Sequence, residues 1–219
     1  MAGTPFDFFD FVACINLPDA TARWQACTEE FARMGITGRV EQLHATPPPA
    51  GLTIPGLRFS AGNVGANLSH VKALTHGLAR RARAALVFED DVYLTDDGLQ
   101  TLAAAVGEMP EAWDVLYLGG NPKGPMARVG PHLLRVSAMF GAFAYAVEGS
   151  FIPRLLDMAF DGLFTKPFDA LLGGQASTGR CLCVSRPVCG TRPGHSIVRD
   201  AFRSYDQTIA DNWARYAPP

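Results

Sequence analysis

Apolar positions along this chain fall into two patterns, short unbroken runs and longer stretches of helical period. Phe11-Val12-Ala13-Cys14-Ile15-Asn16-Leu17 is the first unbroken run and reads as a buried strand, ended by Pro18-Asp19. Over residues 22–34 the positions Trp24, Cys27, Phe31 and Met34 keep helical spacing; Thr21 is placed to cap this helix and Gly35 to stop it. Residues 36–44 hold a second strand, so the chain opens β-α-β and a parallel sheet is expected. Thr46-Pro47-Pro48-Pro49-Ala50-Gly51 is a stiff loop that runs on irregularly to Gly65, long enough to suggest a functional surface segment. Gly62-Asn63-Val64-Gly65-Ala66-Asn67 then leads into a helix with an apolar stripe at Leu68, Val71, Leu74, Leu78 and Ala82. Asn67 or Ser69 is its expected cap. Arg80, Arg81 and Arg83 crowd its last turn, where positive charge complements the helix dipole.

Asp96 or Asp97 caps a further helix ending near Met109-Pro110, and Trp113-Asp114-Val115-Leu116-Tyr117-Leu118 is the next strand. Residues 122–131 form a Gly- and Pro-rich loop, and 132–137 and 140–147 read as two strands, with a hairpin as one arrangement. Residues 150–160 read as a helix with a proline in its first turn, and Pro167-Phe168-Asp169-Ala170-Leu171-Leu172 opens a short one. A late strand over 181–188, a turn over 190–195 and a terminal helix over 202–216 complete the chain. There is no internal repeat and no clean domain boundary. The expected fold is α/β, a mainly parallel sheet flanked by helices in a single domain over 1–219.

One stretch departs from ordinary patterning. Ala84-Ala85-Leu86-Val87-Phe88 is a buried-strand run that ends in Glu89-Asp90-Asp91. Three unpaired carboxylates cannot share the core, so they emerge at the strand tip, where open α/β sheets bind ligands. Strand alternation puts Glu89 and Asp91 on one face and Asp90 on the other. Two converging carboxylates repel unless a cation joins them, and Mg²⁺ or Mn²⁺ prefers such oxygen ligands. The plainer alternative is a solvated acidic turn. Ser69-His70 at a helix start behind a glycine-rich turn suits an anion, with a capping or core-edge histidine as the alternative. His195, in Arg192-Pro193-Gly194-His195-Ser196, either completes the metal shell or is a surface loop histidine.

Composition narrows these options. At 219 residues, 48% hydrophobic and 18% charged, the chain can bury a sizeable core. A net charge of −2 gives no electrostatic case for nucleic acid. No apolar run reaches the roughly 18 residues that span a bilayer, and the amino terminus lacks a basic region and cleavage site, so a cytoplasmic protein is expected. The five cysteines, at 14, 27, 181, 183 and 189, match no common zinc spacing and read as reduced core thiols.

Taken in order, Ile15-Asn16-Leu17 with Arg23, Gly65-x-x-x-Ser69-His70, Leu86-Val87-Phe88-Glu89-Asp90-Asp91-Val92, Trp113-Asp114-Val115 with Leu118-Gly119, Ala142-x-Ala144-Tyr145-Ala146-Val147 and Pro167-x-Asp169 resemble the family 25 glycosyltransferases. That family includes bacterial lipopolysaccharide and lipooligosaccharide galactosyltransferases and the collagen galactosyltransferases. The resemblance runs from about residue 12 to 198, and its specificity lies in the ordered series. It implies a GT-A-like (Rossmann-like) fold, a UDP-sugar donor, and Mn²⁺ (or Mg²⁺) held by a DXD-like motif, here Glu89-Asp90-Asp91. Residues 12–118 would be the nucleotide-sugar-binding half and 119–219 the acceptor and catalytic half. Ile15, Asn16 and Leu17 would form the base-binding edge with Arg23 near it. Ser69 or His70 would meet nucleotide or diphosphate, and Asp90 the ribose. Glu89, Asp91 and His195 would hold the metal.

If the reaction inverts the anomeric centre, a carboxylate must accept the acceptor hydroxyl's proton. Asp169 is the first choice, with helix N-cap as its alternative role; Glu148 and Asp114 are weaker candidates. Two departures stand out: Pro18-Asp19-Ala20-Thr21-Ala22 precedes Arg23 where the family carries further Arg and Asp, and the chain is short for the family. The implied function is a metal-dependent, inverting hexosyltransferase moving galactose or a relative from a UDP-sugar to a glycan or glycoconjugate acceptor. A second class is a nucleotidyltransferase or other nucleotide-dependent transferase, though its basic glycine-rich signature is not visible. A third is a degenerate module that binds a nucleotide or a partner without turnover. Donor sugar, acceptor and oligomeric state stay open; a membrane-associated acceptor would not require an anchor, and peripheral membrane contact is one way to reach it.

Overall fold

In the computed structural model, residues 3–47, 50–53, 60–196 and 201–218 are described, with backbone alone at 195 and 196. Pro48, Pro49 and residues 54–59 of the expected long loop lie outside them. Strand β1 (Phe11–Asn16) is buried at every position, because the sheet carries apolar layers on both faces. Phe11, Ala13 and Ile15 enter one layer, Val12 and Cys14 the other. Helix α1 (Thr21–Arg33) returns the chain to β2 (Val40–His44), which pairs parallel to β1 as expected. Thr21 is the first helical residue, so it does not cap; Ala20 precedes it and makes no side-chain cap bond.

Helix α2 (Ala61–Ala79) begins earlier than its glycines suggest, capped by Ser60, whose hydroxyl accepts from the Asn63 N–H. Gly62 and Gly65 lie inside it, so Asn67 and Ser69 are buried mid-helix residues rather than caps. Its packing stripe is also shifted: His70, Val71, Ala73, Leu74 and Gly77 are buried, Leu78 is exposed, and Ala82 lies beyond the helix end. At Gly77 a Cβ would sit 3.1 Å from Ala85 Cβ and 3.2 Å from Phe11 Cδ1, so the missing side chain permits close helix–sheet contact.

After β3 (Ala84–Glu89) come β4 (Val92–Leu94), α3 (Gly98–Gly107), β5 (Val115–Tyr117), β6 (Asn121–Pro122), β7 (Met126–Arg128), β8 (Leu133–Val136), β9 (Met139–Phe140) and β10 (Ala144–Glu148). Helices α4 (Ile152–Asp161) and α5 (Phe168–Gly173) follow, then β11 (Cys181–Val184), β12 (Cys189–Thr191), β13 (Gly194–Ser196), β14 (Ala201–Arg203) and α6 (Asp206–Tyr216). The main sheet has the order β2-β1-β3-β10-β5-β11-β8-β7. β10 and β8 run against the other strands. This is the expected α/β fold, a mainly parallel sheet flanked by helices in a single domain.

Two local expectations fail. β8 and β10 form no hairpin: β8 pairs with β7 and β11, while β10 inserts between β3 and β5. The turn expected over 190–195 is part strand, because β12 pairs with β4 and β13 with β14. All five cysteines are buried and unpaired, as expected of core thiols.

Candidate active site

The carboxyl ends of β1 and β3 open into a cavity of about 670 Å³, whose walls include Ile15, Leu17, Arg23, His70, Glu89, Asp90, Asp91 and Asp169. Sites in open α/β sheets form at such strand ends. Glu148 and Asp114 sit elsewhere: Glu148 pairs with Ala84 at the far end of β3, and Asp114, buried just before β5, is ion-paired to Arg180.

β3 stops at Glu89, and Asp90-Asp91 turn the chain into β4. The strand, and the alternation read along it, therefore ends at Glu89 before Asp91 is reached. Glu89 Oε1 lies 3.2 Å from His70 Nε2, while Asp90 Oδ1 and Asp91 Oδ2 lie 3.0 and 3.3 Å from Arg23 Nη2. The Asn16 amide donates to Asp90 Oδ2 at 2.7 Å and is itself oriented by Gln42. Asn16 is thus buried behind the wall formed by its neighbours Ile15 and Leu17.

Burial raises the Asp90 carboxyl above its ordinary value, with Arg23 and the Asn16 amide opposing. Asp91 is pushed up to about 7, first by burial and then by the charge of Glu89, which Arg23 and the Thr191 hydroxyl only partly offset. Asp91 Oδ1 is buried with no hydrogen-bond partner.

Ser69 and His70 lie within α2, away from its free N–H groups, so the helix-start anion site expected there does not form. Ser69 Oγ donates to the Gly65 carbonyl at 2.7 Å and accepts from the Thr46 N–H at 2.8 Å, tying the loop after β2 to the helix. The His70 ring is buried, with Nδ1 3.1 Å from the Tyr145 hydroxyl, and it stacks on Phe168 at 4.3 Å and 6°.

Asp169 lies in the first turn of α5, whose N-cap position is Pro167, so it is not the cap. One carboxylate oxygen accepts from the Gly141 N–H at 3.4 Å. Burial raises its pKa, the charge of Glu89 adds to this, and Gly141 and His70 oppose it. Asn67 donates to the Leu163 and Lys166 carbonyls, both at 2.9 Å, and so pins the loop that delivers Asp169.

The backbone of His195 lies on β13 opposite Phe202; its side chain lies outside the described residues. Among the described residues no group of three or more His, Cys, Asp or Glu is arranged to hold a metal ion. The acidic turn nonetheless fits a hard divalent cation: a buried carboxylate oxygen without a partner stands beside a second carboxylate that raises its pKa. Mg²⁺-type sites commonly use one or two carboxylates and complete their shell with substrate phosphates.

Sequence reasoning missed Tyr145 and Phe168 as partners of His70. It also missed the carboxyl-terminal wall, where Tyr205, Thr208 and Ile209 line the cavity. That wall is held by Trp213 Nε1 donating to the Gly120 carbonyl at 2.9 Å and by Asn212 donating to Asn121 at 2.7 Å. No local spacing signals either contact.

No protein-family model and no curated protein sequence matches the chain. Solved structures resemble it at low identity. A mannose-1-phosphate geranyltransferase from Thermus thermophilus is 16% identical over 78% of this chain and 58% of its own, with a TM-score of 0.42. A glycosyltransferase involved in the glycosylation of the major capsid of PBCV-1 is 9% identical over 68% and 65%, with a TM-score of 0.39. A UDP-glucose pyrophosphorylase complexed with UDP-glucose is 7% identical over 93% and 78%, with a TM-score of 0.45. The chain thus spans less than two thirds of the length of the first two. Among the described residues no helix is long and apolar enough to cross a membrane.

Proposed function

We propose that this chain is a GT-A-type glycosyltransferase that moves a hexose, galactose by its sequence resemblance, from a UDP-sugar to a glycan or glycoconjugate acceptor. The observation that carries this reading is the carboxylate pair at the tip of β3. Asp91, with a buried unpartnered oxygen and a pKa raised to about 7, stands beside Glu89 in a cavity that also holds Asp169. Glu89 and Asp91 would hold Mn²⁺ or Mg²⁺, which when bound supplies positive charge against the leaving diphosphate. His195 remains a third ligand in this proposal.

The chain's own groups supply the rest. Asp169 takes the proton of the acceptor hydroxyl on Oδ as its oxygen bonds to the sugar's anomeric carbon. The bond from that carbon to the diphosphate breaks, and the nucleoside diphosphate leaves with the electron pair. The raised pKa of Asp169 makes its carboxylate the stronger base. Asn16 and Arg23 hold Asp90 where a ribose would lie, and Ile15 and Leu17 give the nucleobase an apolar edge.

The Arg23 contacts also favour a second reading. A guanidinium bridging Asp90 and Asp91 can stand in for a cation, in a module that binds without turnover. Calorimetry with a panel of nucleotides and nucleotide-sugars, with and without Mn²⁺, separates the two. Metal-dependent binding of a UDP-sugar is expected. No binding of any nucleotide in either condition refutes the transferase.

A further inference from the structure

We infer that Tyr145 locks His70 in its Nε2–H tautomer and that His70 is thereby the positioning residue for Glu89. The inference deepens the transferase reading by naming what aims the first carboxylate of the acidic turn.

The direction of the protons follows from counting donors and acceptors. Tyr145 is fully buried on β10, and its hydroxyl meets His70 Nδ1 at 3.1 Å. Its cross-strand neighbour is Tyr117, whose own hydroxyl is buried and unpartnered. A phenol at neutral pH has one proton to donate, and a buried donor needs an acceptor. With Nδ1 accepting, the ring proton resides on Nε2, 3.2 Å from Glu89 Oε1. The opposite tautomer would strand the phenol proton and set the Nε2 lone pair against a carboxylate oxygen. Of the two tautomers, only Nε2–H lets Nδ1 accept from Tyr145 and gives Glu89 a donor.

Packing fixes the ring as firmly as the hydrogen bonds do. Phe168 lies parallel to it at 4.3 Å and 6°, and the next residue is Asp169. One imidazole therefore spaces the acidic turn from the start of α5. Glu89 is held through one oxygen while its side chain, 39% exposed, keeps access to the cavity. Histidine–carboxylate contacts of this kind orient groups that bind metals.

Long-range ¹⁵N spectra of the histidine rings test this directly, with His70→Gln used to assign the His70 signals. The parent and Glu89→Gln are expected to show Nε2 protonated and Nδ1 bare. The double variant Tyr145→Phe/Glu89→Gln is expected to show a mixture. A ring protonated at Nδ1 in the parent, or a tautomer lost in Glu89→Gln alone, overturns the lock. Water-proton relaxation with Mn²⁺ alone reads the positioning. Tyr145→Phe should weaken Mn²⁺ binding about tenfold, whereas Tyr117→Phe, which removes a hydroxyl without a partner, should leave it unchanged. Equal affinity in Tyr145→Phe and the parent overturns the positioning role. Absence of Mn²⁺ binding in the parent counts against the transferase, while the tautomer stands or falls by its own spectrum.

Discussion

Asp91→Asn should make this protein more stable at neutral pH, and the gain should vanish in acid. The Asp91 carboxyl titrates at about 7 when folded, against 3.8 ordinarily. Between these values the unfolded chain releases the proton and the folded chain keeps it. Folding therefore takes up a proton, and stability falls as pH rises through this window. Above about 7 the penalty is complete; below about 4 it is absent. At about 1.4 kcal/mol per pKa unit the shift sets a ceiling of about 4 kcal/mol. Because the Asp91 side chain is 23% exposed to solvent, an effect on the order of 2 kcal/mol is expected. For a chain of this size that is roughly 4–8 °C in melting temperature.

The assay is thermal unfolding of parent and variant from pH 4 to 8 without divalent cations. Burial raises Asp90 and Asp169 too, so the variant should keep a shallower slope of the same sign. Asp10, Glu41 and Glu108 are lowered by their partners, so their stability is lost only in more acid solution. An Asp91→Asn variant less stable than the parent at pH 8, or a difference that does not change with pH, refutes the reasoning. Mn²⁺ should raise the melting temperature of the parent and not of the variant.

Three further outcomes are expected. Asp169→Asn should leave nucleotide-sugar affinity within about twofold by calorimetry while lowering turnover at least a hundredfold, the usual loss of a general base. Gly119→Ala places a Cβ 2.2 Å from the Cys189 carbonyl oxygen and 2.6 Å from Phe143, so denaturant unfolding should show a loss of about 2–3 kcal/mol. Ser69→Ala frees the Thr46 N–H and should cost about 1 kcal/mol, with faster amide exchange at Thr46 under otherwise unchanged protection.

The alternating β/α order was legible because periodicity is local: β1 and β3 announce themselves as apolar runs. The acidic tip was legible because charge cannot follow a strand into the core. The start of α2 was not, since Gly62 and Gly65 read as turn residues until tertiary packing makes them helical. Nor was the path of β10, whose partners β3 and β5 are chosen by the whole sheet and not by its neighbour β8. The site divides the same way. Glu89, Asp90, Asp91, Arg23, His70 and Asp169 were nameable from sequence and do line one cavity. Their pairing was not, because β3 ends at Glu89 and the turn that follows sends Glu89 to His70 and both Asp90 and Asp91 to Arg23. Tyr145 and Phe168 looked like ordinary core residues and have no signature apart from the histidine they enclose.

The insertion of β10 has a further cost during synthesis. One side of β3 is covered early by β1, but the other must wait for β10, about 55 residues downstream, to leave the ribosome. Until then Ala84-Ala85-Leu86-Val87-Phe88 presents an open apolar edge, the kind of segment that recruits a second nascent chain. The three acids at its tip sit where gatekeeper charges discourage such pairing. The residues assigned to chemistry in the finished protein would thus also guard an open strand edge while the chain is still being made.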